Sequence, residues 1–354
     1  MPKNLKKNNQ RHLALCKPVK FPSELRLDLV SKDWVVIATG RAKRPETFKR
    51  EKKIREETPK KDCPFCKKDN FKDATLIFSN GKKIRDANLK NWTTIVIPNR
   101  FPAFLPSSRL VKKIEGDLYQ TVNAVGFHEV VITKDHKKSL AQLPIKKIKE
   151  VIDAYQDRYL ELMKKPCVNN ISIFHNHGPE AGASIFHPHS QIITTPLVDV
   201  DSSRAVSNSE RYFKAHKKCL ACQMAKWEMK ARKRIVFENK DFLVLCPFAS
   251  KVAFEVIISP KKHLSYFERI TEKEKWQLAE AFGKALGTIF KGLNDPSYNF
   301  YLHTSPCDGK KYDYYHWHWT ILPKTSIWAG FELGTGMEIS TIEPERAAEY
   351  LRKQ

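Results

Sequence analysis

The sequence predicts an α+β fold made of two copies of one unit, mainly antiparallel sheets flanked by helices. Three observations carry this. Short runs rich in β-branched and aromatic residues recur along the 354 residues, only two segments show helical spacing, and one ordered series of motifs occurs twice. At about 100 to 200 residues per domain, the length suits two domains or one duplicated unit.

Ten runs read as strands: 33–38 (DWVVIA), 92–98 (WTTIVIP), 128–133 (HEVVIT), 170–174 (NISIF), 190–195 (SQIITT), 234–237 (RIVF), 242–245 (FLVL), 254–259 (FEVIIS), 299–303 (NFYLH) and 317–322 (WHWTIL). Ile145, Ile148, Val151, Ile152, Tyr155 and Tyr159 recur at the helical period. So do Trp276, Ala279, Phe282, Leu286, Ile289 and Phe290.

The repeat joins these elements. The first half runs Cys63-Pro-Phe-Cys66, the strand HEVVIT, His136, the first helix, a strand ending in His175, then His187-Pro-His189. The second runs Cys219-Leu-Ala-Cys222, the strand FEVIIS, His263, the second helix, a strand ending in His303, then His316-Trp-His318. His136 and His187 are 51 apart and His263 and His316 53 apart, so the order and the spacing both match. The expected division is a basic arm over 1–20, a catalytic half over 21–200 and a second half over 201–354. The arm carries six Lys or Arg and no acid.

Composition narrows the function classes. The net charge is +24 and 41% of residues are hydrophobic, as in a basic globular protein. No apolar run spans a membrane and the N-terminus lacks an apolar signal core, so no membrane partner and a cytoplasmic location are expected. Of eight cysteines, four form the C-x-x-C pairs, while Cys16, Cys167, Cys246 and Cys307 stand alone. In such a chain the pairs read as metal ligands or redox pairs rather than a disulfide framework.

Thiolate and imidazole are preferred ligands of tetrahedral zinc. The repeat selects Cys63, Cys66, His136 and His187 for one ion and Cys219, Cys222, His263 and His316 for another. Four protein ligands leave no open position, so both sites would be structural. A nitrogen-rich set of His303, His316 and His318, suited to iron or zinc, is the alternative at the second site.

In 187–191 (HPHSQ), alternation puts His187, His189 and Gln191 on one strand face. The loop 175–184 (HNHGPEAGAS) offers Asn176, Gly178, Gly182 and Ser184 to a phosphate. An imidazole aimed at phosphorus can form a phosphoramidate that passes the group onward, with Gln191 donating to a phosphoryl oxygen.

These residues resemble the galactose-1-phosphate uridylyltransferase family of the histidine-triad superfamily over about 22–350. The motifs are LRLDLVSKDWVVIATGRAKRPETF (25–48), CPFC (63–66), IPNRFPAF (97–104), NHGPEAGASIFHPHSQ (176–191), PKKH (260–263), HWHWTILP (316–323) and AGFELGTG (329–336). The resemblance implies histidine-triad-like halves, His189 as the nucleophile that takes a nucleotidyl group from UDP-glucose, and ping-pong transfer to galactose 1-phosphate. Simple histidine-triad hydrolases usually carry a third histidine where Gln191 stands, so the glutamine implies transfer over hydrolysis. It also implies substrate contacts from Arg41, Arg44, Asn99, Asn176, Gly182 and Ser184, a homodimer, and the first zinc set named above.

Two departures appear. Where uridylyltransferases carry a hexose-contacting glutamine, ungapped counting from Gly330-Phe331-Glu332 reaches Glu338. Phe331 and Glu332 are also expected to contact substrate, and the segment that holds them resembles the branch that includes ADP-glucose phosphorylases, which transfer to inorganic phosphate; Cys219 and Cys222 also suit the two-zinc arrangement of that branch. A zinc-stabilised nucleic-acid-binding protein is the alternative of a different class, but clustered basic residues without a reader motif support it weakly.

Overall fold

The computed structural model describes residues 23–38, 45–49, 57–67, 71–85 and 91–354. The arm over 1–20 and the Arg41 and Arg44 pair lie outside the described residues.

The first half supplies β1 (Glu24–Leu27), β2 (Trp34–Ile37), β3 (Leu76–Ser79), β4 (Lys82–Lys83), β5 (Thr94–Pro98), β6 (Lys112–Glu115), β7 (Tyr119–Val122) and β8 (His128–Thr133). Then follow α1 (Ile145–Leu162), β9 (Asn170–His177) and β10 (His189–Thr195). The second half supplies α2 (Val200–His216), α3 (Leu220–Ala231), β11 (Ile235–Glu238), β12 (Phe242–Leu245), β13 (Val256–Pro260) and α4 (Glu272–Leu293). It ends with β14 (Tyr298–His303), β15 (His318–Pro323), α5 (Gly330–Thr335), β16 (Ile339–Ser340) and α6 (Pro344–Arg352). All ten expected strands and both expected helices are present, with small shifts at their ends.

Eleven strands form one antiparallel sheet in the order β11-β12-β13-β15-β14-β9-β10-β8-β5-β3-β4. Read outward from the β14–β9 seam, the strand orders of the two sides correspond, as a duplicated unit requires. At the seam Tyr298 pairs with His177 and Phe300 with His175.

One sheet face is covered by α1 and α4, which pack on each other. Ile148, Val151, Tyr155, Leu278, Phe282 and Ile289 meet Val131, Ile173, Ile192, Phe300, Trp319 and Ile321 in the main core. Gly283 lets the helices approach, since a Cβ there would sit 3.3 Å from Ile148 Cδ1. Helix α4 starts at a Thr271–Glu274 capping box and stops at Asn294, whose φ of 59° is left-handed. A buried two-pronged ion pair, Arg158 to Glu129 at 2.7 and 2.8 Å, ties α1 to β8.

The opposite face carries His189, which opposes Ile132. There a smaller core of Cys63, Phe65, Phe71, Ile77, Trp92, Ile95, Ile97, Val130 and Ile132 covers the first half. A separate sheet, β1-β2-β16, joins two strands of the first half to one of the second. It is anchored by buried Arg26, which bonds Glu345 and lies with Arg234 against the Phe248 ring. Among the described residues no helix is long and apolar enough to cross a membrane.

The register corrects one detail of the repeat. Strand β9 runs past His175 to His177, and His175 pairs with Ser190, whereas His303 pairs with His318. Successive residues of a strand face opposite ways. His175 therefore points into the helix-covered core, and the residue matching His303 beside the first-half histidine is Asn176.

Candidate active site and metal centres

The two C-x-x-C pairs and their histidines come together as the repeat requires. Cys63, Cys66, His136 and His187 form one group and Cys219, Cys222, His263 and His316 another, with ligand atoms within 4.8 Å of one another in each. In the first, Cys66 Sγ lies 3.3 Å from His136 Nδ1 and 3.5 Å from His187 Nδ1, with the two Nδ1 atoms 3.3 Å apart. A tetrahedral zinc with ordinary bond lengths has edges of about 3.4 Å between nitrogens and about 3.6 Å between sulfur and nitrogen. The second centre is slightly wider, with Cys222 Sγ 3.5 Å from both Nδ1 atoms and Cys219 Sγ 3.9 Å from His316 Nδ1.

The tautomers complete the fit. His136 Nε2–H donates to Thr58 O at 2.8 Å and His187 Nε2–H to Thr133 O at 2.7 Å. In the second centre His263 donates to Asp313 O at 2.6 Å and His316 to Pro260 O at 3.0 Å. Each ring proton is thus held by a carbonyl, so each Nδ1 turns a lone pair inward. Lone pairs crowded at 3.3 Å repel unless a cation sits among them. Burial and then Cys63 push the Cys66 thiol up to about 11, so a thiolate there would need a cation beside it. His303 and His318 join neither group, so the structure gathers the cysteine set rather than the nitrogen-rich one.

His187 ends the first centre and leads directly into β10. His189 follows, buried, with Nδ1–H donating to the His187 carbonyl at 2.9 Å. That bond leaves the lone pair on Nε2. Burial holds the His189 pKa below its ordinary value, although the carbonyl partly opposes this, so the ring is neutral at pH 7. The edge-on Phe65 ring of the CPFC turn, 4.9 Å between centroids, restricts its swing. A neutral, oriented imidazole with a free Nε2 is a nucleophile.

Gln191 shares the face of His189, and its Oε1 lies 2.7 Å from His128 Nε2. Asn99, just beyond β5, places Nδ2 3.0 Å from the same nitrogen while its Oδ1 accepts from Phe101 N–H. Asn176 is held from the second half: Asn299 Nδ2 donates to its Oδ1 at 2.8 Å, which leaves the Asn176 NH2 free to donate. The loop turns at Gly178, with φ of 82°, where a Cβ would strike Ser297 Oγ at 2.1 Å. Gly182, also left-handed, and Ser184 are exposed at its tip.

Not every expected residue joins this group. Phe331 and Glu332 lie on the exposed α5, and Glu332 accepts from Ala329 N–H at the start of its own helix. Neither makes a hydrogen bond or ring contact with His189, Gln191 or Asn176. Sequence reasoning missed His128, Asn299 and Phe65. Alternation along β8 alone could not have found the first, because its place beside Gln191 depends on the register with β10, in which Ile132 opposes His189 and His128 opposes Ile193.

The second half repeats this arrangement with different residues. His318 Nδ1 lies 3.4 Å from the His316 carbonyl, as His189 does from His187, but Thr320 replaces Gln191. The His303 ring stacks on His318 at 4.6 Å and fills the space before it.

The sequence model of the galactose-1-phosphate uridyl transferase N-terminal domain matches residues 18–199, and that of the C-terminal domain matches 205–353. The chain belongs to this family. Among its relatives, the ADP-glucose phosphorylase of Arabidopsis thaliana is 33% identical over 93% of this chain and 92% of its own length. The galactose-1-phosphate uridylyltransferase of Thermotoga maritima is 26% identical over 93% and 98%. The crystal structure of the Arabidopsis thaliana phosphorylase with bound ADP-glucose superposes at a TM-score of 0.77 and 31% identity, covering 94% of this chain and 99% of that one. The galactose-1-phosphate uridylyltransferase family is thus shown by sequence and by fold, and its members are nucleotidyl-transferring enzymes of sugar metabolism.

Proposed function

We propose that the protein moves a nucleotidyl group from a nucleoside-diphosphate sugar to a phosphate-bearing acceptor through a covalent intermediate on His189. The observation that carries this is the pairing of a neutral His189, its Nε2 free, with Gln191 on the same strand face. Nε2 attacks the α-phosphorus, the bond to the bridging oxygen breaks, and the sugar 1-phosphate leaves with that electron pair. An acceptor phosphate oxygen then attacks the same phosphorus and returns the pair to Nε2. Gln191 and Asn176 donate to the phosphoryl oxygens as charge shifts, with the loop at Gly182 and Ser184 beside them. Asn99 binds the nucleoside, and Arg41 and Arg44 pair with substrate phosphates.

Both Cys/His groups hold zinc in this reading, closed by four ligands and serving structure. At the first, the ion fixes His187 and through its carbonyl the aim of His189. The halves 21–200 and 201–354 are functional units, the first catalytic, in a cytoplasmic homodimer.

UDP-glucose as donor and galactose 1-phosphate as acceptor follow from the family name. ADP-glucose with inorganic phosphate is the second reading, supported by the 33% identical phosphorylase and by Glu338. This carboxylate stands where a hexose-binding glutamine is expected and lies 3.8 Å from Lys251 Nζ. Incubation with each labelled nucleotide sugar should give an acid-labile, alkali-stable adduct, absent in His189→Ala. No adduct with either donor, or an unaffected variant, would overturn the mechanism; the donor and acceptor that turn over decide between the two readings.

A further inference from the structure

His128 has no part in the metal centres or in the chemistry at His189, yet it stands at the junction of the two amides beside the nucleophile. It opens β8 and is diagonal to Gln191, since Val130 opposes Gln191 and His128 opposes Ile193. Diagonal neighbours on one face are within reach of long side chains. Its hydrogen bonds then form a chain of obligatory assignments. The Ala103 backbone N–H points at His128 Nδ1 at 3.2 Å, and a backbone N–H can only donate. Nδ1 is therefore the acceptor and Nε2 carries the proton.

That proton faces Gln191 at 2.7 Å, so the atom receiving it is the carboxamide oxygen. With Oε1 taken, the Gln191 NH2 is the end left to point away from His128. Were the amide reversed, its NH2 would meet an N–H, a donor against a donor. The same logic reads Asn99. Its Oδ1 is held by Phe101 N–H and its Nδ2 lies 3.0 Å from His128 Nε2, whose single proton goes to the nearer Gln191 oxygen at 2.7 Å. An acceptor atom of a ligand would satisfy the Asn99 amide hydrogens that His128 cannot.

We propose that His128 is a positioning residue that fixes the Gln191 carboxamide with its NH2 toward the reacting phosphoryl group. This rests on the nucleotidyl-transfer reading and adds to it the source of the donor's orientation. Without His128 the amide can present its oxygen to phosphoryl oxygens, and the donor is lost for the fraction of molecules so turned. It acts through Gln191 alone, on the step in which charge moves onto those oxygens.

The test is adduct formation measured in a single turnover at saturating UDP-glucose and ADP-glucose with the full-length, metal-loaded protein. His128→Phe keeps the ring volume and removes the donor. The rate constant is expected to fall about tenfold or more, with the half-saturating donor concentration unchanged. His128→Gln, which can accept from Ala103 and donate to Gln191, should recover most of the rate. In a Gln191→Ala background His128→Phe should have no further effect. A His128→Phe protein at the wild-type rate, or losses that multiply in the double variant, would overturn the assignment. Should the phenylalanine variant misfold, His128→Gln against His128→Glu carries the test: the glutamate lacks the N–H, and equal rates for the two refute the proposal. A wild-type protein that forms no adduct fails differently, because it removes the transfer reading itself.

Discussion

Behind the strand that carries His189, one hydroxyl serves two buried partners. Ser190 Oγ lies 2.6 Å from Tyr155 Oη and 3.0 Å from His175 Nδ1, and all three residues are buried. Among the described residues His175 Nε2 has no hydrogen-bond partner, its ring stacks on Phe300 at 4.8 Å, and burial holds it neutral. Removing a partner leaves a buried polar group unsatisfied at about 1–3 kcal/mol, while removing both members of a bond is nearly neutral. Ser190→Ala orphans two groups and is expected to cost about 2–6 kcal/mol. Tyr155→Phe leaves Ser190 bonded to His175 and should cost about 1 kcal/mol. In the Ser190→Ala background the Tyr155 hydroxyl is already orphaned, so Tyr155→Phe should there be neutral or stabilising. Urea midpoints of the four proteins at fixed zinc concentration read the cycle. Equal destabilisation by Tyr155→Phe in both backgrounds would refute the reasoning, because the sign change depends on Ser190 being the shared partner.

Two further outcomes are expected. Cys222→Ser should lower metal content from about two to about one per chain and leave adduct formation within a few-fold, whereas Cys63→Ser should abolish it, because only the first centre is tied to His189; elemental analysis with single-turnover assays reads both. Buried Glu255 has its pKa raised to about 8 by burial, against the opposing pull of Lys251. The folded protein therefore keeps a proton that the unfolded chain releases near pH 4.5, and stability is full below that value and declines as pH rises toward 8. Glu255→Gln should remove this decline of a few kcal/mol, seen as urea midpoints that no longer fall between pH 5 and 8.

The two Cys/His groups were the most legible part of the site, because ligand chemistry restricts residue types and duplication supplies an internal control. Alternation placed His189 and Gln191 on one strand face, whereas the roles expected of them came from the family resemblance. His128 and Asn299 were hidden for a physical reason: each acts across strands, and cross-strand neighbours depend on register, which no local pattern contains. The same limit explains the mismatch of His175 with His303, where a shared type and a similar position along the strand concealed opposite faces. Helix α2 escaped because its buried side is small and polar, Ala205, Val206, Asn208 and Ser209, so it lacks an apolar stripe. Strand β6 has four exposed residues and no alternation to detect.

The β9–β14 seam gives the second half a purpose independent of chemistry. An unpaired β9 would offer a row of bare N–H and C=O groups, a template for another chain. In a single-copy ancestor, covering that edge would need a second molecule and would fail on dilution. Tethering both edges in one polypeptide makes their pairing independent of protein concentration. The same tether obliges the second half to keep its strand, and it secures Asn299 beside Asn176 whenever the chain is folded.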